Sequence, residues 1–451
     1  MQIELARLRY AAPQAGPVAT GRVLSCDGGL LEVTGLPLPI GSLGRIAGGG
    51  SASGEGEGAL AEVVGFRGGH SLMMLLGDTQ LLAPGAQVRG LAAPGMALVG
   101  NALLGRALDA LGTPIDGGPP PGCTETWPLA GKREGALDRA SVDTPFDCGV
   151  RAINALLGMG RGQRIGIMAG SGVGKSVLFE QIAGHASADI TVVAMIGERA
   201  REVSDFVARH MQGPGRGRIV VVAVPADHAP NLRLRAALYA SAIAEHFRAQ
   251  GKSVLLMLDS LTRVAHAARE LGLLLGEPGA ARGYPPSALA ALTRLIERAG
   301  NSARSGGAIT GVYTVLADGD DMDDPVIDTA RAILDGHVVL SRDLAQRGHY
   351  PAIDVPASLS RVMDDVAPAD IVAAARGVRA LIAARESSRD LVMMGAYRAG
   401  TDVQLDSALR FSAAIDAFLT QERGESVTLT DSLDQLRGLS ADIAAAGAAH
   451  A

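Results

Sequence analysis

The segment Ala169-Gly170-Ser171-Gly172-Val173-Gly174-Lys175-Ser176 constrains this chain more than any other. It follows an apolar run from Arg164 to Met168 and precedes a run from Val177 onward that is typical of a helix. A strand, a glycine loop and a helix in this order form a phosphate-binding loop, or P-loop. The glycines let backbone N–H groups surround phosphate oxygens, and the helix N-terminus adds further donors. The pattern predicts an α/β domain that binds a nucleotide.

Two P-loop side chains have a predicted chemical role. Lys175 is expected to contact the β- and γ-phosphates, and the Ser176 hydroxyl to hold Mg²⁺. Ala169 stands where the strict pattern has glycine, and the loop can close if φ is negative there. The alternative is a glycine turn that leaves Lys175 on the surface. The residues predicted to bind the nucleotide here are Gly170, Ser171, Gly172, Val173, Gly174, Lys175, Ser176 and Val177.

The composition limits the class of protein. A chain of 451 residues is too long for one ordinary core, so we expect two or three domains. The net charge of −6 gives no global basic field of the kind that drives nucleic-acid binding. Three widely spaced cysteines form no metal-binding pair and indicate reduced thiols. There is neither a signal-peptide core nor an apolar run long enough for a membrane span, so we expect a cytoplasmic protein.

The hydrophobic pattern changes twice along the chain. Short strands from about Pro17 to Val88, with a glycine-rich exposed loop at 48–58, predict a small β-barrel or sandwich. From about Asp365 an alanine-rich helical pattern predicts a separate helical domain. Between them, apolar strands alternating with helices predict a parallel sheet covered on both faces, with strands at 164–168, 190–196, 219–224, 253–258, 308–315 and 337–340. The expected boundaries are 1–16 for an N-terminal segment, 17–90 for the barrel, 91–365 for the nucleotide-binding domain and 366–451 for the helices.

Two acidic residues follow strands of this predicted sheet. Asp259 ends an apolar run and can hold Mg²⁺ through water beside Ser176, or can instead cap the helix that follows. Glu198 follows the run at 191–197 and can orient an attacking water, or can instead stabilise a helix N-terminus from its first turn.

Four segments, in order, resemble the catalytic subunits of rotary-type ATPases: Gly197–Glu202, Asp259–Arg263, Arg282–Ser287 and Tyr350–Arg361. The resemblance covers nearly the whole chain. It implies an α/β RecA-type P-loop core with an N-terminal six-stranded β-barrel and a C-terminal helical domain. It also implies that Glu198 polarises the lytic water and that Glu202 supports Mg²⁺ through its water shell.

Further roles come from the same resemblance. Arg199 and Arg263 help to stabilise the phosphate region, and Tyr350 stacks on adenine unless it is a core tyrosine. Arg361 corresponds to the arginine finger that enters the neighbouring subunit's site, the alternative being a surface ion pair. Because one chain carries both Glu198 and Arg361, identical subunits can supply both sides of each interface, which favours a homohexamer.

The local sequence favours one branch of the family. Thr144–Leu157, Gly160–Arg164, Val173, Asp328–His337 and Gly395–Asp402 resemble flagellar-type export ATPases. The resemblance implies an ATP hydrolase that uses ATP and Mg²⁺ and energises protein export through a flagellar type III secretion apparatus. The alternatives are an injectisome type III secretion ATPase, the catalytic subunit of a proton-translocating ATP synthase, and a non-catalytic nucleotide-binding ring subunit. Glu198 argues against the last, because such subunits typically have Gln at that place.

The partners implied are a stator-like regulatory protein at the N-terminus, a central stalk protein, the export gate, chaperones and export substrates, and no nucleic acid. We expect Met1–Tyr10 to become helical on binding the regulator, although Ile3, Leu5 and Leu8 form a poor apolar stripe. The acidic run Asp318–Asp324 lacks the glycine and glutamate of a calcium loop and is expected to be a solvated loop. The location implied is cytoplasmic, peripheral to the inner-membrane export apparatus.

Overall fold

A computed structural model describes residues 18–47, 58–77, 82–91, 95–211, 214–317 and 324–448. The N-terminal segment 1–16, most of the 48–58 loop and the acidic residues 318–323 lie outside the described residues. The chain divides into two compact units. The first comprises Met1–Arg133, Val192–His246 and Leu258–Arg298, and the second Glu134–Thr191, Phe247–Met257 and Ala299–Ala451. Within the described ranges, no helix is both long and apolar enough to cross a membrane.

Strands dominate the N-terminal part of the chain and helices the C-terminal part. The strands are β1 (Thr20–Asp27), β2 (Leu30–Thr34), β3 (Leu43–Ile46), β4 (Ala59–Arg67), β5 (His70–Leu75), β6 (Gln87–Gly90), β7 (Met96–Val99), β8 (Arg106–Leu108), β9 (Glu125–Pro128), β10 (Arg139–Ala140), β11 (Arg164–Ala169), β12 (Ile190–Ile196), β13 (Ile219–Val224), β14 (Ser253–Asp259), β15 (Gly300–Ser302), β16 (Ala308–Leu316), β17 (Gly336–Leu340) and β18 (Ile353–Ser360). The α-helices are α1 (Arg151–Leu156), α2 (Lys175–His185), α3 (Ala200–His210), α4 (Pro230–Ala249), α5 (Leu261–Leu274), α6 (Pro286–Ile296), α7 (Pro325–Ile333), α8 (Arg342–Gln346), α9 (Met363–Val366), α10 (Ala369–Ser387), α11 (Arg389–Met393), α12 (Val403–Arg410), α13 (Ser412–Leu419) and α14 (Leu429–Ala448).

The N-terminal strands of the first unit form a closed antiparallel barrel in the order β1-β2-β5-β4-β3-β6. Alternate residues of these strands face inward, and the interior contains Leu31, Val33, Val63, Met73 and Val88. The structure therefore selects the barrel over the sandwich. Closure depends on β3 and β6, which have four residues each and lack the longer alternation of the other strands.

Helix α4 is attached to this barrel by a buried ion pair. Nη1 of Arg235 donates to Oε1 of Glu62 on β4 at 2.9 Å, and both side chains are largely buried. Desolvation raises the pKa of Glu62, and Arg235 opposes that rise. A second polar cluster joins the other end of α4 to β9. There, Glu245 accepts from Nε1 of Trp127 and from Nε of Arg298, each at 2.7 Å.

The second unit contains a sheet in which β11 lies between β16 and β17, parallel to both. Its strands are almost continuously buried, as expected for a parallel sheet covered on both faces. Across both units, the six strands predicted between 164 and 340 are found, and β12 and β13 match their expected bounds. The antiparallel edge strand β18, which pairs with β17, was not predicted as a strand.

The C-terminal helices pack around α10, which contacts α12 and α14. The pattern at 404–420 predicts one helix, but the structure has two, α12 and α13. Phe411 leaves the helical conformation at φ −94° and ψ 8°, which separates them. The junction contains neither glycine nor proline, so the sequence carries no ordinary signal for this break.

Candidate nucleotide-binding site

The P-loop joins the end of β11 to the start of α2. Gly172 and Gly174 have φ of +77° and +91°, the left-handed region that favours glycine. Ala169 remains in the strand, where its carbonyl accepts from the backbone N–H of Ala317 at 3.1 Å. It is not among the described residues with positive φ, so alanine fits the position that has glycine in the strict pattern.

The first turn of α2 is open to an anion. No side chain caps this helix, and its first turn contains no acidic residue. Backbone N–H groups and the positive end of the helix dipole therefore face the P-loop without a competing carboxylate. Ser171 and Ser176 are exposed, whereas Lys175 is largely buried. The Val173 side chain is also buried, so it can contribute only its backbone to a ligand.

Tyr350 lies beside the P-loop. A Cβ placed on Gly174 would stand 3.3 Å from Cε1 of Tyr350, which shows how closely the ring approaches the loop. The side chain is 42% exposed, so Tyr350 is not a core tyrosine. The register of β18 explains the placement, because Ile353 pairs with Leu340 and Leu340 pairs with Ala169, the last residue before the loop.

Arg361 follows β18 and therefore lies at the other end of the strands from Tyr350 and the P-loop. Ser360 pairs with Gly336, and the Arg361 N–H donates to the carbonyl of Asp335 at 2.9 Å. Asp335 in turn bonds Arg164, the first residue of β11. Because β11 runs from Arg164 to the P-loop, roughly 17 Å of strand separates Arg361 from the loop of its own chain.

The Arg361 side chain is exposed, and its Nη2 donates to the carbonyl of Arg331 at 3.2 Å. None of the ion pairs in the described part of the chain includes it. The alternative of a surface ion pair therefore does not account for this residue.

A cavity of about 510 Å³ opens at the same end of the strands as Arg361. Its lining includes Arg139, Arg164, Asn301, Asp335 and Asp365. It lies at the beginning of β11, whereas the P-loop follows the end of that strand. The cavity is therefore separate from the phosphate-binding loop.

In the first unit, Glu198 follows β12 and is 6% exposed. Gly197 before it has φ +70°, and its N–H donates to the carbonyl of Val224 at 2.7 Å. A Cβ on Gly197 would stand 3.1 Å from Cβ of Arg263, so the Glu198 backbone turns directly against α5. Helix α3 begins only at Ala200, and its first-turn acid is Glu202. The alternative role at the helix N-terminus thus belongs to Glu202.

Asp259 ends β14 and is 3% exposed. The cap of the following helix is Ser260, whose hydroxyl accepts from the Arg263 N–H at 3.3 Å. Asp259 is therefore not that cap. Nε of Arg263 is buried with no hydrogen-bond partner in the described residues, which leaves this donor available to an anion.

The two remaining predicted residues lie on α3 and just before it. Arg199 and Glu202 approach to 4.0 Å, with side chains 88% and 39% exposed. Such an exposed pair contributes little to stability. Neither side chain is fixed by the packing of the first unit.

The structure thus forms two groups of the predicted residues, each within one unit. The P-loop and Tyr350 lie together in the second unit, and Arg361 lies at the other end of the strands of that unit. Glu198, Arg199, Glu202, Asp259 and Arg263 belong to the first unit. Within the described ranges, no three His, Cys, Asp or Glu side chains form a metal cluster.

Sequence reasoning missed Gln421, which bonds the carbonyl of Tyr350 through its backbone N–H at 2.9 Å. No local pattern marks this glutamine, because its partners are distant in the chain. Only the packing of the C-terminal helices against α1, and of residues 422–423 against α2, reveals it.

Comparisons with known proteins identify the family of the chain. Residues 149–360 match the nucleotide-binding domain of the ATP synthase alpha/beta family, and residues 367–438 match the T3SS EscN ATPase C-terminal domain. The flagellum-specific ATP synthase of Salmonella typhimurium is 48% identical over 423 residues, 92% of either chain. A type 3 secretion system ATPase of Pseudomonas syringae pv. tomato is 40% identical, over 92% of this chain and 93% of that protein.

Solved structures give the same result. The assembled ATPase EscN of the enteropathogenic E. coli type III secretion system has a TM-score of 0.86 at 38% identity, covering 93% of this chain and all of the solved EscN chain. EscN in complex with its central stalk EscO has a TM-score of 0.84 at 37% identity, with the same coverage. The resemblance expected from the motifs is confirmed. The chain belongs to the ATP synthase alpha/beta family, among the ATPases of flagellar and type III secretion systems.

Proposed function

We propose that this ATPase forms a homohexameric ring and energises protein export through a flagellar type III secretion apparatus. The observation that carries the catalytic part is the P-loop at the end of β11, with an uncapped α2 and with Tyr350 against Gly174. The 48% identity to a flagellum-specific ATP synthase supports the flagellar assignment. We retain the division into a barrel at 17–90, a nucleotide-binding domain at 91–365 and a helical domain at 366–451.

ATP and Mg²⁺ fit the residues present. The left-handed glycines and the uncapped helix provide inward-facing N–H donors for phosphate oxygens. The oxygen donors of Ser176 and, through water, of Asp259 and Glu202 are of the kind that Mg²⁺ prefers. Bound Mg²⁺ would neutralise phosphate charge.

In the proposed mechanism, Glu198 orients the attacking water and accepts its proton. Lys175 contacts the β- and γ-phosphates, while Arg199 and Arg263 stabilise negative charge. The buried Nε of Arg263 supports this role, since it lacks an acceptor among the described residues. Tyr350 stacks on the adenine base, for which its exposed ring beside the P-loop is suited.

Arg361 acts on a neighbouring copy. Because it lies at the end of the strands away from the P-loop, it is too far from the phosphates of its own chain. A head-to-tail ring brings that end of the strands in one copy to another copy's site. EscN, which shares the fold at 38% identity, has been solved as an assembled ATPase, and this supports a ring for the present chain.

The replacement Glu198→Gln tests the catalytic assignment, because it keeps the shape of the side chain and removes the base. We expect ATP turnover to fall about 10²-fold or more, with ATP affinity nearly unchanged. Glu277→Gln, outside the predicted site, is the matched control. Turnover near the wild-type rate in Glu198→Gln would show that this residue is not the base.

For partners, we propose a stator-like regulator at the N-terminus, a central stalk, the export gate, chaperones and export substrates, without nucleic acid. The exposed apolar side chains Leu391, Met393, Met394 and Val403 of the C-terminal helices suit a partner with an apolar surface. EscN has been solved in complex with its central stalk, EscO. We place the protein in the cytoplasm, peripheral to the inner-membrane export apparatus.

The second candidate is an injectisome ATPase, which the 40% identity to a type 3 secretion system ATPase favours. Deleting the gene in its own organism separates the two. The flagellar proposal predicts loss of motility and of flagellar filaments. Intact motility with lost secretion of injected effectors would assign the protein to an injectisome.

A further inference from the structure

Residues 420–428, which connect α13 to α14, are called the α13–α14 loop. This loop is hydrogen-bonded to residues at and just before α1. The Val427 N–H donates to the carbonyl of Gly149 at 3.2 Å. Nδ2 of Asn154 donates to the carbonyl of Val427 at 3.3 Å. Gly149 has φ +76°, and a Cβ there would stand 2.5 Å from Cβ of His185. The loop, α1 and the end of α2 therefore pack too closely for a larger residue at this glycine.

Gln421 is the most heavily bonded residue of this loop. It is 4% exposed, and its Oε1 accepts from the Arg151 N–H at 2.8 Å. Its Nε2 donates to the carbonyls of Gly149 at 2.8 Å and Glu425 at 2.9 Å. Both donor hydrogens and one acceptor site of the amide are thus used, so the orientation of the side chain is fixed. Its backbone N–H donates to the carbonyl of Tyr350 at 2.9 Å.

The next two residues of the loop contact α2. Nε2 of Gln181 donates to the carbonyl of Glu422 at 2.9 Å, and Nη2 of Arg423 pairs with Oε2 of Glu180 at 2.7 Å. The loop therefore bonds the backbone of Tyr350 and the helix that begins at the P-loop. The α13–α14 loop thus connects Tyr350 to α2, the helix that follows the glycines of the P-loop.

From these contacts we infer that Gln421 is a positioning residue, which holds Tyr350 where its ring can meet the nucleotide base. The inference rests on the proposed role of Tyr350. The side-chain amide anchors the loop to α1, and the backbone N–H then holds Tyr350 beside Gly174. Without the amide bonds the loop and Tyr350 shift together, while the P-loop keeps its phosphate contacts. Affinity for the base then depends on how the C-terminal helices are seated.

The test is Gln421→Leu in the full chain, which keeps similar volume and removes the amide. We expect the KM for ATP to rise about tenfold, as for loss of one base–aromatic stack, with kcat within about twofold. Inorganic tripolyphosphate, which has no base, serves as the second probe, and its inhibition constant is expected to stay unchanged. The double variant with Tyr350→Ala is expected to match Tyr350→Ala alone, because both act through one contact.

Gln435→Leu is the matched control. Oε1 of Gln435 also accepts from Arg151, at 2.8 Å, but on the exposed side of α14. We expect it to leave the KM for ATP unchanged. If Gln421→Leu does not fold, Gln421→Glu replaces it, since it keeps the acceptor and removes both donors.

Three outcomes overturn the inference without affecting the proposed role of Tyr350. The first is equal weakening of ATP and tripolyphosphate, and the second is an effect that multiplies with that of Tyr350→Ala. The third is an unchanged KM in the Gln421 variant beside a raised KM in Tyr350→Ala, which overturns the inference alone. An unchanged KM in Tyr350→Ala would instead overturn the proposed base-binding role together with the inference.

Discussion

Glu245 on α4 offers a sharp test of the packing in the first unit. Its carboxylate is 2% exposed and accepts from Nε of Arg298 and Nε1 of Trp127, each at 2.7 Å. Glu245→Leu removes the partner of a buried guanidinium, which costs about 3–5 kcal/mol. The indole N–H loses its acceptor as well, which adds about 1 kcal/mol. We therefore expect a loss of about 4–6 kcal/mol in the free energy of unfolding, a large share of a typical total.

Urea titration measures this loss directly. Trp127 is the single tryptophan of the chain, so its fluorescence reports on the unit that contains the cluster. With an m-value of about 3 kcal/mol/M, the midpoint should fall by about 1.3–2 M. Arg201→Met is the control in the same unit, because it breaks a 3.8 Å ion pair with Asp205 in which the arginine is 91% exposed. That change should cost under about 1 kcal/mol. Equal shifts for the two variants would refute the argument from burial.

Two further predictions concern pH and the P-loop. Hydrogen bonds from Arg106 lower the pKa of Asp116 to about 2 from its ordinary 3.8, so this carboxylate stabilises the fold above pH 4 and loses that contribution as the pH falls toward 2. Asp116→Asn should therefore be less stable than the wild type at pH 5, with the gap closing by pH 2 in urea titrations; a constant gap would contradict this. Gly172→Ala and Gly174→Ala should each cost about 1–2 kcal/mol of stability without nucleotide, from their left-handed φ. Only Gly174→Ala should be partly relieved by Tyr350→Ala, because only its added methyl meets that ring; equal relief of both would contradict the geometry.

The strands that the sequence predicts best are those whose runs are rich in β-branched residues and contain no charged residue. β12 and β13 match their expected bounds because every residue in them is buried and the pattern has no interruption. The sequence does not predict β3 and β6, because four residues are too few to show an alternation of apolar and polar side chains. The distinction between a barrel and a sandwich depends on these two strands. The P-loop was found because its spacing is local.

The placement of Arg361 could not be predicted from local sequence. It depends on the antiparallel register of β18, which puts Tyr350 at one end of the strand and Arg361 at the other. Helix capping also needed the structure, since Asp259 and Ser260 are both good cap residues and only the bond to the Arg263 N–H distinguishes them. Gln421 has partners up to 272 residues away in the chain, so no window of sequence could indicate it.

The central claim is that each site combines Glu198 of one copy with Arg361 of the next, and mixed rings test it most directly. Glu198→Gln and Arg361→Ala proteins, each inactive alone, are combined in equal amounts and their ATPase rate is measured. In a head-to-tail ring with random mixing, about one quarter of the interfaces regain both groups, and the rate should rise toward that fraction of wild type. If both groups served the site of their own chain, no mixture would recover activity, and that result would contradict the account.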